Sequence, residues 1–303
     1  MMLHDDKELF TQVVLRTSES LNIRPEIIEK DYYVTMLLKE IYSLMPEIVF
    51  KGGTSLSKCY HLIKRFSEDI DLGIESGASI TESGRRRIKE VMLKAIEKAG
   101  LELDNAGNVK SRRTYNRYIV NIPNSNDSPY LKDKILIETA VYQRSYPTKL
   151  MEATSLIYDY LSQNGFEDFV EQYKLQPVTL KVQAAERTLV DKLYALADYY
   201  LAGMLAEHSR HIYDIYKLLS VVEIDDNLKE LAISVAGERR NDSHCLSVQN
   251  GVNVRDILTE IIRTEAYRND YEEITAKLLY EQVSYDTAIT GVQEIVDSEL
   301  FSG

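Results

Sequence analysis

The chain has 303 residues, 44% of them hydrophobic, which is enough for a sizeable core in one large domain or two smaller ones. It has no apolar run of membrane-spanning length, no secretion signal and only two cysteines outside any C-x-x-C pair, so we expect a cytoplasmic protein without a membrane partner. The net charge of −12 excludes indiscriminate nucleic-acid binding by the whole surface.

The N-terminal half is predicted to combine helices with short strands. A first helix should end near Leu21, and Pro25 suits the first turn of a second helix that runs to Leu44. Apolar spacing and turn signals then predict strands at 47–51 and 67–74, with helices after each of them at 54–63 and up to Ala99. Alternation between Leu101 and Tyr146 predicts an antiparallel β section.

From about Met151 onward the sequence predicts mainly helices, with strong candidates at 183–201 and 210–222. We therefore expect an α/β core with N-terminal helices over residues 1–150 and a mainly helical domain over 151–303 that completes the active site. The expected fold class is α+β, with a mixed sheet, flanking helices and a helical C-terminal part.

The most informative local pattern is a Gly-Gly turn followed by two aspartates. Gly52 and Gly53 join an apolar strand end to a helix, where glycine lets the backbone approach a phosphate and helix N–H groups favour anions. Asp69 and Asp71 stand two residues apart on the next predicted strand and should project from one face. Two adjacent carboxylates repel unless a cation joins them, and Mg²⁺ with a nucleoside triphosphate (NTP) is the natural candidate.

Three other charged residues are candidates for the same site. Glu138 lies on an alternating strand, where antiparallel pairing with the aspartate strand would make it a third metal ligand, although a strand carboxylate usually just faces solvent. Lys192 stands one step off the apolar stripe of its helix, and by composition alone it would be an ordinary surface lysine. Asp214 lies among apolar residues and needs a partner, for which Arg210 and His211 are within helical reach.

The segment from Lys51 to Arg117 is locally basic, with 14 Lys and Arg against 9 Asp and Glu. Such a segment on an acidic protein suits a polyanion, such as an NTP or RNA. A solvated helix face at Arg85–Arg87 and a basic strand edge explain the same charges equally well.

Four segments in this order resemble the AbiEii family of nucleotidyltransferase-like toxins from bacterial abortive-infection and toxin–antitoxin systems. They are Phe50-Lys51-Gly52-Gly53-Thr54-Ser55-Leu56-Ser57-Lys58, Arg65-Phe66-Ser67-Glu68-Asp69-Ile70-Asp71, Glu186-Arg187-Thr188 with Lys192-Leu193, and Arg210-His211 with Asp214-Ile215-Tyr216. The upstream run Glu29-Lys30-Asp31-Tyr32-Tyr33-Val34 also resembles a segment common in this family. The first two segments are weak signals singly and specific as a pair.

The resemblance implies a polymerase-β-like nucleotidyltransferase core with a helical C-terminal part. By position, it implies phosphate contacts at the Gly-Gly turn, Mg²⁺ at Asp69 and Asp71, a triphosphate contact from Lys192, and a further catalytic role for Asp214 as a base or a member of the metal network. The residues expected to bind the nucleotide are Gly52, Gly53, Thr54, Ser55, Lys58 and Arg65.

The main functional hypothesis is an Mg²⁺-dependent enzyme that moves a nucleoside monophosphate from an NTP to an acceptor hydroxyl. If the resemblance holds, the acceptor is the 3′ end of a tRNA, the effect is growth arrest in phage defence, and an antitoxin is a partner. A protein side chain or a small molecule would use the same core. The alternative is a non-catalytic nucleotide-binding module that regulates or binds a partner protein, against which the joint presence of both carboxylates, the Gly-Gly turn and Lys192 argues.

Overall fold

The computed structural model describes residues 2–65, 67, 69–123 and 134–301, so Phe66 and Glu68 of the second segment lie outside the described residues. The chain forms two compact units. Unit 1 contains residues 1–60 and 67–182, and unit 2 contains residues 61–66 and 183–303. Among the described helices, none has the length and apolar character needed to cross a bilayer.

Unit 1 is built on a seven-stranded mixed sheet. Across the sheet the strands run β3-β4-β5-β2-β1-β7-β6, with β1 antiparallel to β2 and parallel to β7. β2 pairs in parallel with β5, and β4 pairs antiparallel with both β3 and β5, which confirms the antiparallel section predicted there. The strands are β1 (Val49–Lys51), β2 (Ile70–Ile74), β3 (Glu102–Leu103), β4 (Tyr115–Asn121), β5 (Lys134–Arg144), β6 (Thr148–Ala153) and β7 (Val178–Gln183).

The described part of unit 1 contains six α-helices. They are α1 (Lys7–Leu21), α2 (Pro25–Leu44), α3 (Gly52–Lys58), α4 (Glu82–Lys98), α5 (Leu156–Gln163) and α6 (Glu167–Gln172). The first two end where the sequence predicted. α3 begins two residues earlier than predicted and ends five residues earlier. Leu37 of α2, Phe50 of β1 and Leu72 of β2 are fully buried in one apolar core.

After Met151 the described chain is mainly helical, with two strand segments that the sequence did not predict. β6 spans residue 150 and β7 lies beyond it, and β7 pairs with β1 in the sheet of unit 1. The unit division after Val182 therefore differs from the boundary expected near residue 150. β7 alternates apolar and polar residues (Val-Thr-Leu-Lys-Val-Gln), so a local strand signal was present that the prediction of helices overlooked.

The described part of unit 2 is mainly helical. Its helices are α7 (Ala185–Leu201), α8 (Arg210–Leu218), α9 (Asp226–Arg239), α10 (Val254–Thr264), α11 (Arg268–Asp270), α12 (Ala276–Leu278) and α13 (Tyr285–Asp297), with a π-helical turn at Tyr271–Thr275. α7 buries Leu189, Leu193 and Leu196 completely, as its predicted apolar stripe requires.

Candidate functional site

The Gly-Gly turn at the end of β1 lies directly against one of the two aspartates. Gly52 has a φ of 76°, and a Cβ built on it would lie 2.0 Å from Asp71 Oδ2. Antiparallel pairing of β1 with β2 also sets Lys51 opposite Asp71. Only glycine combines this left-handed backbone with so close an approach, so the turn and the carboxylate form one local structure.

Asp71 is the second residue of β2, and Asp69 immediately precedes that strand. Both aspartates are half-buried, whereas Ile70 and Leu72 between and after them are fully buried in the core. This difference in burial agrees with the predicted alternation of faces along the segment.

Glu138 occupies the position beside Asp71 on the neighbouring strand, in register with it. The pairing is parallel, so the antiparallel pairing expected for these two strands is wrong, while the predicted proximity holds. On its other side Glu138 faces Arg117 of β4, whose Nε and Nη2 lie 2.7 Å and 2.6 Å from Glu138 Oε1. Local spacing did not indicate this arginine as a partner, because the pairing depends on the sheet register.

The carboxylates of unit 1 suit a magnesium ion that is shared with a substrate. Among the residues that the structure describes, no group of three or more His, Cys, Asp or Glu side chains is placed to hold a metal ion. Mg²⁺ is usually bound by one or two carboxylates together with phosphate oxygens, rather than by a cage of protein ligands. Asp69 and Asp71 fit that requirement, and the roles of these two and of Glu138 as ligands stay predictions.

The hydroxyl groups at the start of α3 hold the turn itself. Ser55 is fully buried and its Oγ donates to the Gly52 carbonyl at 2.8 Å, while Thr54 Oγ1 lies 2.9 Å from Ser67 Oγ. The amides of the first helical turn have no acceptor within a helix, so they are the groups that this turn offers to a phosphate. Phosphate contact at Gly53, Thr54 and Ser55 stays a prediction.

Lys58, expected to contact phosphate, is instead buried at the far end of α3. Its ammonium group donates to Asp31 Oδ1 at 2.6 Å, to Thr35 Oγ1 at 2.7 Å and to the Thr154 carbonyl at 3.1 Å. The only sequence signal for this arrangement was the upstream family-like run that contains Asp31.

The second group of site residues lies in unit 2 and centres on Asp214, which is fully buried on α8. Arg65 donates to both of its carboxylate oxygens, from Nε to Oδ1 and from Nη2 to Oδ2, each at 2.8 Å. Lys192 of α7 donates to Oδ2 at 2.6 Å. The need of Asp214 for a partner was predicted correctly, but Arg210 and His211 are not the residues that meet it.

Asp214, Arg65 and Lys192, the Asp214 cluster, combine one negative charge with two positive charges in a buried setting. Burial alone raises the pKa of Asp214, but the charges and hydrogen bonds of Arg65 and Lys192 outweigh it and hold this pKa well below its usual range. Arginine keeps its proton, so Lys192 is the cation of the cluster whose pKa responds to the excess positive charge. Burial, assisted by Arg65, accordingly lowers the pKa of Lys192 against the opposing effect of Asp214.

The segment that carries Arg65 is fixed within unit 2 on both sides of its backbone. The Lys64 amide donates to Tyr213 Oη at 2.9 Å, and the Tyr280 amide donates to the Lys64 carbonyl at 2.7 Å. Arg65 also forms an antiparallel bridge with Leu279. Arg65 is therefore a structural partner of Asp214, and its predicted phosphate contact would have to be made from a buried side chain.

Arg187 and Asp191, four residues apart on α7, belong to a larger charged network. Arg187 is 1% exposed, and its guanidinium group reaches both Asp191, at 3.3 Å, and Glu238 of α9, at 3.2 Å. This network fixes the face of α7 next to the helical turn that carries Lys192.

A family model described as "Nucleotidyl transferase AbiEii toxin, Type IV TA system" matches residues 37–294. The chain belongs to the AbiEii family. It is therefore a nucleotidyltransferase toxin, for which an NTP is the substrate and an antitoxin is the expected partner of a type IV toxin–antitoxin system. No curated protein matches the sequence.

A solved structure supports the AbiEii fold independently. MenT4, a nucleotidyltransferase toxin from Mycobacterium tuberculosis, superposes with a TM-score of 0.63 at 17% identity, covering 98% of this chain and 89% of that one. The similarity confirms the expected fold class, a mixed sheet with flanking helices and a helical C-terminal part.

Proposed function

We propose that this AbiEii toxin transfers a nucleoside monophosphate from an NTP to a hydroxyl of RNA, with the 3′ end of a tRNA as the acceptor, inside the cytoplasm. The observation that carries the proposal is the contact between the Gly52 turn and the Asp71 carboxylate, two residues from Asp69. A phosphate-binding turn and a pair of metal-binding carboxylates are the two parts that phosphoryl transfer requires of a protein, since it depends on positioning and charge neutralisation.

Asp69 and Asp71 would hold Mg²⁺, which when bound neutralises charge on the triphosphate oxygens. The amides of the first turn of α3 bind phosphate oxygens, and Lys51 lies opposite Asp71 as a further cation. Arg117 holds Glu138 beside Asp71, where Glu138 can serve as a third carboxylate.

The Asp214 cluster would supply the triphosphate contact assigned to Lys192. Its excess positive charge is complementary to an anion, and Asp214 fixes the direction of the Lys192 ammonium group. A role for Asp214 as a general base finds no support, because its low pKa and its bonds to two cations make it a poor proton acceptor. We assign Asp214 as the residue that positions Lys192.

The choice of RNA as acceptor rests on charge. Although the whole protein is acidic, α4 carries Arg85, Arg86 and Arg87 in succession, and Arg86 is exposed. Such a surface favours a polyanionic acceptor over a protein side chain.

The deciding experiment incubates the purified protein with each α-³²P-NTP and Mg²⁺, first with total cellular RNA and then with protein extract. We expect label in the tRNA fraction, and loss of it in Asp69→Ala and in Asp71→Ala, by about 10²- to 10³-fold in rate. Circular dichroism of both variants should match the parent protein. Full activity in both variants would reject the metal assignment, and label in protein alone would reject RNA as the acceptor. NTP binding without pyrophosphate release would favour the non-catalytic module.

A further inference from the structure

Lys58 and Asp31 form a buried ion pair that joins α3 to α2. The Lys58 side chain is 5% exposed and that of Asp31 is 17% exposed. Asp31 uses both carboxylate oxygens, accepting from Lys58 at Oδ1 and from the Leu156 amide at Oδ2, which lies 2.7 Å away. Thr35, the second acceptor of the Lys58 ammonium group, is anchored through its own hydrogen bond to the Asp31 carbonyl.

An ammonium group has three N–H bonds, and in Lys58 all three end on acceptors of unit 1. No donor therefore remains for a phosphate. The side chain instead ties the last residue of α3 to α2 and to the chain immediately before α5. Because these acceptors come from two separate parts of the chain, α2 and the stretch before α5, the end of α3 is held by both.

The other end of α3 is fixed by its own contacts. Thr54 Oγ1 bonds Ser67 Oγ, two residues before Asp69, and Ser55 Oγ bonds the Gly52 carbonyl. A seven-residue helix is only about 10 Å long. A tilt at Lys58 would therefore move the Gly52 turn, where the backbone lies against Asp71.

We propose that Asp31 and Lys58 are a positioning pair, which fixes α3 in the orientation that presents the Gly52-Gly53 turn to the nucleotide phosphates. The inference rests on the proposed nucleotide site. It gives a function to the upstream run that contains Asp31, and it replaces the direct phosphate contact expected of Lys58.

The test compares Asp31→Asn, Lys58→Met and the double variant in the full-length protein. Hydrogen exchange without nucleotide should be about tenfold faster or more over residues 52–60 in each variant. In the transfer assay the KM for NTP should rise about tenfold while kcat changes less, since a misplaced turn weakens binding. The double variant should lose no more than the worse single variant, because either substitution alone breaks the pair.

Lys98→Met is the matched control. It removes an ion pair of 3.3 Å between Lys98 and Glu40, which is also on α2 and also 17% exposed, but this pair joins α2 to α4 instead of to α3. Its exchange over residues 52–60 and its KM should equal those of the parent protein.

Three outcomes would overturn the positioning role. Unchanged exchange over residues 52–60 in Asp31→Asn would show that the pair does not hold α3. Faster exchange with an unchanged KM would separate α3 from the nucleotide site. Additive losses in the double variant, with Lys58→Met far worse than Asp31→Asn, would restore a direct phosphate contact. A parent protein that binds and transfers no NTP would reject the proposed function, while the exchange measurement would still report whether the pair holds α3.

Discussion

Gly52 is a position in unit 1 that its surroundings restrict to glycine. Its positive φ disfavours any residue with a Cβ, and the Asp71 carboxylate occupies the space that a Cβ would need. The sequence predicted a glycine turn here because glycine lets the backbone approach a phosphate. The structure adds that the turn also makes room for a carboxylate.

We therefore expect Gly52→Ala to displace Asp71 and to strain the turn, lowering the free energy of unfolding by about 1–3 kcal/mol. Transfer activity should fall by about 10²-fold, since a shift of about 1 Å in a positioned group has that effect. Urea unfolding and the label-transfer assay measure the two effects. Gly107→Ala is the control, because a Cβ there meets no atom within 4 Å and the backbone is not left-handed. Equal behaviour of the two variants would contradict the close approach.

Glu138 is paired with Arg117, so an experiment must decide whether Glu138 also binds the metal ion. We expect Glu138→Gln to raise the Mg²⁺ concentration needed for half-maximal transfer by about tenfold or more, as loss of a metal-site carboxylate does. A Mg²⁺ titration of the initial rate measures it. Arg117→Met tests the partner, since it frees Glu138 without removing its charge. An unchanged Mg²⁺ requirement in Glu138→Gln would leave this residue as a partner of Arg117 only.

At the scale of secondary-structure elements, unit 2 joins three separate stretches of chain through one carboxylate. α7 supplies Lys192, α8 supplies Asp214, and the short segment 61–66 supplies Arg65. A buried charge cluster of this kind is costly to break on one side, because the remaining charges lose their partner but stay away from water. The cluster is accordingly a stability element as well as a proposed part of the site.

Asp214→Asn should leave Arg65 and Lys192 buried without a counter-charge. We expect it to lower the free energy of unfolding by about 3–5 kcal/mol. Denaturant unfolding followed by helix content measures the loss. Asp286→Asn is a control with an exposed carboxylate paired to Arg268, where solvent screening makes the expected change small. A loss from Asp214→Asn as small as that of the control would contradict the buried cluster.

The same carboxylate predicts a pH dependence with a defined sign. The pKa of Asp214 is lowered in the folded state, so its contribution to stability is present above the unfolded pKa of about 3.9 and is lost as the pH falls below it. We expect the stability difference between the parent protein and Asp214→Asn to be constant from pH 7 to about pH 5 and to shrink at lower pH. Unfolding curves across this range measure it. A difference that already shrinks near pH 6 would assign the effect to another group.

For the whole molecule, predicted site residues are found in each of the two units. Unit 1 carries Asp69, Asp71 and the Gly-Gly turn, and unit 2 carries Lys192 and Asp214. A nucleotide that binds the folded chain and not the unfolded chain stabilises the fold. Its binding can therefore be followed as a rise in stability.

We expect Mg²⁺ with the preferred NTP to raise the melting temperature of the full chain, with a stabilisation of about 2.7 kcal/mol when the ligand is at 100 times its Kd. Differential scanning fluorimetry with each NTP, with and without Mg²⁺, measures the shift and identifies the base. Asp69→Ala with Asp71→Ala should remove the Mg²⁺-dependent part. Equal shifts for the double variant and the parent protein would contradict the assignment of these aspartates.

The sequence by itself determined the local parts of this protein. Backbone sterics explain the Gly-Gly turn. The two-residue period of a strand explains why Asp69 and Asp71 share a face and why Ile70 between them is buried. The helices with a clear apolar stripe, α1, α2 and α7, were predictable for the same reason. The order of the family-like segments then indicated the AbiEii fold, which the family match confirmed.

Only the tertiary structure decided which charged residues meet. Arg65 and Asp214 are 149 positions apart, and Lys58 and Asp31 are 27 apart, so neither pairing can be read from local spacing. The parallel pairing of β2 with β5 and the place of β7 in the sheet likewise depend on chain topology. Buried charges need partners, but the sequence states only that need. The fold determines the partner, because it determines which distant segments pack together away from water.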